Sequence, residues 1–452
     1  MSINIIKQAV ANYLSGLIVI FFIGISPAAY AQDLLEIFEL ALQNDPVLKQ
    51  ARASQLAIGE SKDQSVANFL PDVSATGISN LNRLANKRAT YQGSGVQNYS
   101  DNNFNVNLTQ PLFHWEHWIQ LSQSDNQIAQ AEADYQTELQ KLMVKITEAY
   151  FNVLSAEDNL EFSRSEKQAI ARQLEQAKQR FAIGLIDITE SRQAQAAFDT
   201  ATANEIEASN NVDNQKEALT EIIGGQDLEL NNMGEIIPLT RPEPDDISIW
   251  SDSAEVGNFN IISAFNQMEF SRKAIDLQRT GHLPKLDLVA SLGEYDTTSQ
   301  FGLRGSTEIV GVRLNVPLFE GGAVNSRTQQ AIYKYEQAKE QLTAAKRAVN
   351  RQVKDAYRGI TTSISRVEAL KTAVSSAEVA VQSTEAGFEV GVRTLVEVLD
   401  EQRNLYRAKR DYSRTRYDYL LNSIRLKQAS GNLAQEDIEQ INHLLVASPA
   451  SR

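Results

Sequence analysis

Cysteine is absent from the 452 residues, so neither a disulfide nor a lipid-modified N-terminal cysteine holds the chain, and packing alone must do so. Histidine occurs four times, scattered, so no metal site and no cofactor is expected. There is no P-loop, no HExxH, no GxSxG and no dinucleotide fingerprint, and the chain is not expected to be an enzyme. Bases are outnumbered: 43 Lys and Arg stand against 57 Asp and Glu. Such a balance gives no general affinity for nucleic acid, and attraction of cations is its more natural consequence. Proline-rich linkers are missing too. The one cluster is Pro238, Pro242 and Pro244, near the middle.

Long apolar runs are missing except at the start. Lys7 is the only charged residue before Asp33, Leu14 to Ile25 are apolar or small, and Ala29-Tyr30-Ala31 follows. That order is a signal peptide over 1–31 with an expected mature start at Gln32. The run is short for a spanning helix. Its removal takes one base and no acid, leaving 42 bases against 57 acids.

What is present is duplication, the first thing to seek in a long chain. Tyr150, Phe181, Gly184, Glu190 and Gly224 recur as Tyr357, Phe388, Gly391, Glu397 and Gly431, always 207 positions on. Pro111-Leu112-Phe113 recurs as Pro317-Leu318-Phe319, 206 on. Each half reads as a short helical stretch, two strands, a very long helix, a glycine break and a second helix. Asn44-Asp45-Pro46 breaks the first short stretch in two.

Heptads dominate the helices. Leu121, Ile128, Tyr135, Leu142 and Ala149 fall seven apart, as do Val353, Ile360, Val367, Val374, Val381 and Phe388. Such spacing signals a left-handed coiled coil. Trp115 to Arg180 contains no Gly and no Pro, which predicts one helix of ~100 Å at 1.5 Å per residue. Gly184 and Gly391 read as helix–turn–helix tips.

Strands are expected over roughly 69–81, 102–113, 286–298 and 308–319, with polar loops over 82–101 and 299–306. Phe104, Val106 and Leu108 alternate with Asn105, Asn107 and Thr109, and Val310, Val312 and Leu314 with Gly311 and Arg313. That pattern fits strands of a membrane barrel, or a small soluble sheet packed on the helices. Four strands cannot close a barrel, so a barrel would pool strands from a dimer, trimer or tetramer.

Four runs carry a family resemblance: Arg180-Phe-Ala-Ile-Gly-Leu-Ile-Asp-Ile-Thr-Glu190, Gly281-His-Leu-Pro-Lys-Leu-Asp287, Val316-Pro-Leu-Phe-Glu-Gly-Gly322 and Gly387-Phe-Glu-Val-Gly-Val-Arg-Thr-Leu-Val-Glu-Val-Leu-Asp400. In this order the chain resembles the TolC family of outer-membrane efflux ducts, nearest to its non-lipidated branch. The resemblance implies an α+β membrane protein: a homotrimer with a twelve-stranded β-barrel (four strands per chain), a long coiled-coil α-helical barrel in the periplasm and a mixed α/β equatorial belt. It divides the chain into belt (32–68, 225–283, 432–452), strands in outer-membrane lipid (69–113, 284–319) and tunnel (114–224, 320–431). It implies a periplasmic adaptor protein and an inner-membrane efflux pump or ABC exporter as partners, and drugs or unfolded polypeptides as cargo. A periplasmic coiled-coil adaptor or structural stalk is the rival; it explains the heptads but not the strands.

The resemblance also assigns residues. A gate would link Arg393 to a neighbouring Thr189-Glu190 pair, where Glu190 replaces the family aspartate. Phe388 replaces the family tyrosine and lacks its hydroxyl. Glu397 and Asp400, one turn apart, would form acidic selectivity rings. Gly184, Leu185, Gly391 and Val392 match the adaptor-docking motif. His114 and His117 sit three apart in His114-Trp115-Glu116-His117-Trp118 and read as a strand-to-helix junction rather than a metal site.

Overall fold

The computed structural model describes residues 32–90, 93–225, 229–234, 237–299, 302 and 304–446. The expected signal peptide, 1–31, lies outside the described residues. Two helices of nearly equal length set the frame: α4 (Trp115–Ala182, 68 residues) and α8 (Ala323–Glu389, 67 residues). Each turns back through a short tip into a 36-residue helix, α5 (Ile188–Ile223) and α9 (Leu395–Ser430). The expected single long helix is present, because nothing breaks the backbone ladder of α4, which at 1.5 Å per residue is ~100 Å long.

The short helices are α1 (Leu34–Asn44), α2 (Pro46–Gly59), α3 (Ser61–Ala67), α6 (Ile247–Gly257), α7 (Phe259–Arg279) and α10 (Gln435–Asn442). Asp45 ends α1 and caps α2 by accepting from the Leu48 N–H, with Pro46 at the first helical position, where its missing N–H costs nothing. The second stretch also divides, at Asn258. Its side chain accepts from the Asn260 N–H and donates to the Ala429 carbonyl, so the break is fixed by a partner on α9. α7 lies against both α4 and α8; Lys273 Nζ donates to the Ser122 carbonyl at 2.8 Å.

Four strands form one antiparallel sheet, β1 (Asp72–Thr90), β2 (Gly93–Phe113), β4 (Lys285–Thr297) and β5 (Gly305–Asn315), in that spatial order. Its centre is the β2–β4 pair, so the two halves of the chain join there. One row of paired residues runs Val73, Leu108, Ala290, Val310 across the sheet. Val73 and Val310 are exposed, and β1 and β5 each keep an open edge within the chain. The expected loop over 82–101 is mostly ladder: pairing continues to Asn86↔Gly95. The sequence reading failed there because a hairpin bonded along its backbone needs no apolar alternation where neither face is buried.

A second, two-stranded sheet pairs β3 (Asn232–Met233) with β6 (Leu445–Val446). It lies beside the main hydrophobic cluster, where α1, α4, α5, α9 and α10 meet around Phe38, Ile146, Phe151, Leu219, Leu420 and Ile438. Tyr150, fully buried there, donates its hydroxyl to the Asn231 carbonyl at 2.8 Å. A smaller cluster packs the far end of the long helices, with Ile170, Leu174 and Ala177 of α4, Ala194, Ala197 and Ala201 of α5, Phe388 of α8, and Leu395, Val398 and Leu399 of α9.

Candidate functional site

The far end of the helices gathers most residues singled out in the sequence. Gly184 and Gly391 have φ of +75° and +79°, a backbone that L side chains rarely adopt. A Cβ at either would meet nothing within 4 Å. Backbone handedness, not crowding, therefore requires glycine at these tips. The next helices start on capping residues. Asp187 accepts from the Thr189 N–H. Thr394 and Glu397 form a capping box, with Glu397 accepting from the Thr394 N–H at 2.8 Å. Around the glycines Ile183, Leu185, Val390 and Val392 project outward, Leu185 with 70 % and Val392 with 75 % of its surface exposed. Four apolar side chains thus stand exposed at this end of the helices.

The outer membrane efflux protein family is matched twice, over residues 37–225 and 250–432. The two matches fall on the two halves, which the duplication had already separated. The chain belongs to the outer membrane efflux protein family. It is an exit duct of the outer membrane, with its helices as a periplasmic tunnel. It is 36 % identical over 425 residues to the outer membrane protein TolC of Vibrio cholerae serotype O1, covering 92 % of this chain and 95 % of the relative. It is 34 % identical to TolC of Escherichia coli strain K12, covering 93 % and 87 %. Its fold is that of the outer membrane protein VceC from Vibrio cholerae, with TM-score 0.75 at 19 % identity, over 88 % of this chain and 96 % of that one.

Within this efflux protein the residues expected at a gate divide. Arg393 donates to Glu397 at 3.0 Å, four positions on along the same helix start. Among the described residues no bond joins Arg393 to Thr189 or Glu190 inside one chain. Thr189 and Glu190 sit in the first turn of α5, with the Thr189 N–H held by Asp187. Phe388 is 4 % exposed. The Arg180 guanidinium lies over its ring at 4.3 Å from the centroid, and Arg180 Nη1 donates to the Phe388 carbonyl at 3.1 Å. At this position the chain has a cation over a buried ring.

Glu397 is partly exposed and Asp400 exposed, and each has a basic neighbour: Arg393 for Glu397 and Arg403, at 3.1 Å, for Asp400. The Thr394 backbone N–H, and then Arg393, hold the Glu397 carboxyl below the usual glutamate range. At neutral pH it is ionised.

Sequence reasoning missed a second link across the bundle. Glu385 of α8 accepts from Gln173 of α4 at 3.2 Å and from Gln402 of α9 at 2.9 Å. Further up, Glu166, almost fully buried, accepts from Arg410 at 3.0 Å, and Asp158 accepts from Tyr417 at 2.8 Å. Only the opposite charge of Glu166 and Arg410 was a readable signal, and it does not say which charges meet.

Proposed function

We propose that three copies of this chain close one twelve-stranded barrel and one helical tunnel, and that the assembly receives cargo at its tip from an inner-membrane pump or ABC exporter through a periplasmic adaptor. The observation that carries this is the sheet: four strands with an exposed apolar face and two open edges, continuous through Phe113 with a helix of 68 residues. Open edges invite pairing with further strands, and in lipid only a closed barrel satisfies every backbone group. Among the described residues no helix is long and apolar enough to cross a membrane. The chain supplies a path and no chemistry, so it is not an enzyme. Small drugs and unfolded polypeptides are the cargo classes.

The gate lies at the tip. Arg393 reaches Thr189 and Glu190 of a neighbouring protomer when the duct is closed, releasing part of its hold on Glu397. Glu397 and Asp400 form stacked rings that favour cations and bind multivalent cations, weakened by Arg393 and Arg403 beside them. Gly184-Leu185 and Gly391-Val392 dock the adaptor through the exposed apolar tips. The test is fractionation, migration on gels with and without heating, and planar-bilayer recording of the purified chain. A heat-sensitive trimer in the outer membrane with discrete conductance is expected. A soluble chain with no conductance would return the reading to a periplasmic adaptor or stalk.

A further inference from the structure

The junction where β2 passes into α4 holds a cluster that neither the tunnel nor its tip uses. His114 stands at the start of α4 without capping it, and His117 follows one turn later with Glu116 between. Ligand atoms of these three side chains lie within 4.8 Å of one another. Strand β4 brings in Lys285 and Asp287, the latter 173 positions from His114. Asp287 Oδ1 lies 2.8 Å from His114 Nε2, and Glu116 Oε1 lies 3.3 Å from His114 Nδ1 while also meeting Lys285 Nζ. The side chains of His114, Glu116 and Asp287 are only 14 %, 13 % and 15 % exposed.

Two details point to a ligand. A carboxylate has no proton to give, so His114 Nε2 must donate to Asp287, and in the neutral ring this leaves the Nδ1 lone pair facing Glu116. Two acceptors at that distance repel unless a cation or a proton lies between them. Independently, His117 Nδ1 is buried and has no hydrogen-bond partner. A carboxylate that orients a histidine so that its other nitrogen is free is the usual support of a metal-binding histidine. Two imidazoles and one carboxylate suit a borderline dication such as zinc, and not calcium or magnesium, which prefer oxygen alone. The sequence offered two histidines and too few partners; the fold supplies the orienting carboxylate.

We propose that His114, Glu116 and His117 bind one zinc-class divalent ion, with Asp287 as a positioning residue. All three ligands belong to the start of α4, at the joint between sheet and tunnel, and β4 reaches the ion only through Asp287, which holds His114. On binding, the two imidazole rings, now stacked with centroids 4.8 Å apart, turn to aim their nitrogens at one point, and Lys285 yields Glu116 to the ion.

Chelator-stripped full-length protein in detergent is titrated with Zn2+ by calorimetry and with Co2+ by visible absorption. One ion per chain is expected, with a Co2+ spectrum typical of a nitrogen-containing four-coordinate site and a Zn2+-dependent rise in unfolding temperature. The double variant His114→Ala/His117→Ala loses all three signals, while His282→Ala and His443→Ala keep them. Asp287→Asn, which preserves shape, weakens Zn2+ binding about 10- to 100-fold and carries the test if the double variant fails to assemble. Absence of Zn2+ uptake by the unaltered protein, uptake that survives in the double variant, or unchanged affinity in Asp287→Asn would each overturn the proposal.

Discussion

Truncating Arg180 is the sharpest probe of the tip. Its guanidinium makes two contacts with one residue of α8: it covers the Phe388 ring at 4.3 Å and donates to the Phe388 carbonyl at 3.1 Å. A desolvated cation–π contact is worth ~2 kcal/mol and an exposed one about half that. A hydrogen bond from a charged donor adds ~1.5 kcal/mol or more. Arg180 is only half-buried, so solvent screening reduces both, and ~2 kcal/mol per chain is a fair total. At 1.4 kcal/mol per tenfold, Arg180→Ala should favour separation of α4 from α8 at the tip by about 30-fold. Phe388→Leu keeps an apolar side chain in the cluster but removes the ring, so it loses the cation–π part and retains the carbonyl bond. The assay is open probability and conductance in planar bilayers for wild type, both single variants and the double variant. Conductance should rise in the order wild type, Phe388→Leu, Arg180→Ala, and the double variant should resemble Arg180→Ala, because the ring contact is already gone. Wild-type conductance in Arg180→Ala, or strictly additive single effects, would refute the reasoning.

Arg393→Ala should also raise conductance, since it removes the basic residue proposed to reach Thr189 and Glu190 of a neighbouring protomer; an unaltered channel would sink that part of the proposed gate. Asp400→Ala should lower cation selectivity and relieve block by multivalent cations, whereas Arg403→Ala should strengthen both by freeing Asp400; ion-substitution recordings read both. Tyr150→Phe leaves the part-buried Asn231 carbonyl without this donor and should cost about 1 kcal/mol, measured as a fall in unfolding temperature. The Glu397 carboxyl is held below its ordinary value of 4.5. A group depressed by folding stabilises the folded state above its unfolded pKa and loses that effect as pH falls through the folded value. Hydrogen exchange at the start of α9 should therefore quicken as pH drops below about 4.5, after correction for the intrinsic rate, and Glu397→Gln should abolish that dependence.

Part of this molecule was plain in the chain alone. The constant spacing from Tyr150 to Gly431 gave the two halves, freedom from Gly and Pro gave the length of α4, and Gly184 and Gly391 marked both tips. These are local properties: a ladder runs unless something stops it, and a left-handed turn selects glycine wherever it stands. The strands were found at their apolar ends and missed over 82–101, where polar residues pair as well as apolar ones.

Tertiary structure decided which side chains meet. Heptads state that α4 and α8 each present a packing seam, but a seam shifted by seven residues still fits, so the pattern leaves the stagger between helices open. Stagger is what sets Gln173 and Gln402 on Glu385, Arg180 over Phe388 and Arg410 on Glu166. The same holds at the other end of α4. His114, Glu116 and His117 are neighbours in sequence, but Asp287 reaches them only because β4 pairs with β2 across the two halves. Local residue order therefore determined the parts of this duct, while the contacts at its helical tip and at the candidate metal site depend on registers between segments far apart in the chain, which no local pattern encodes.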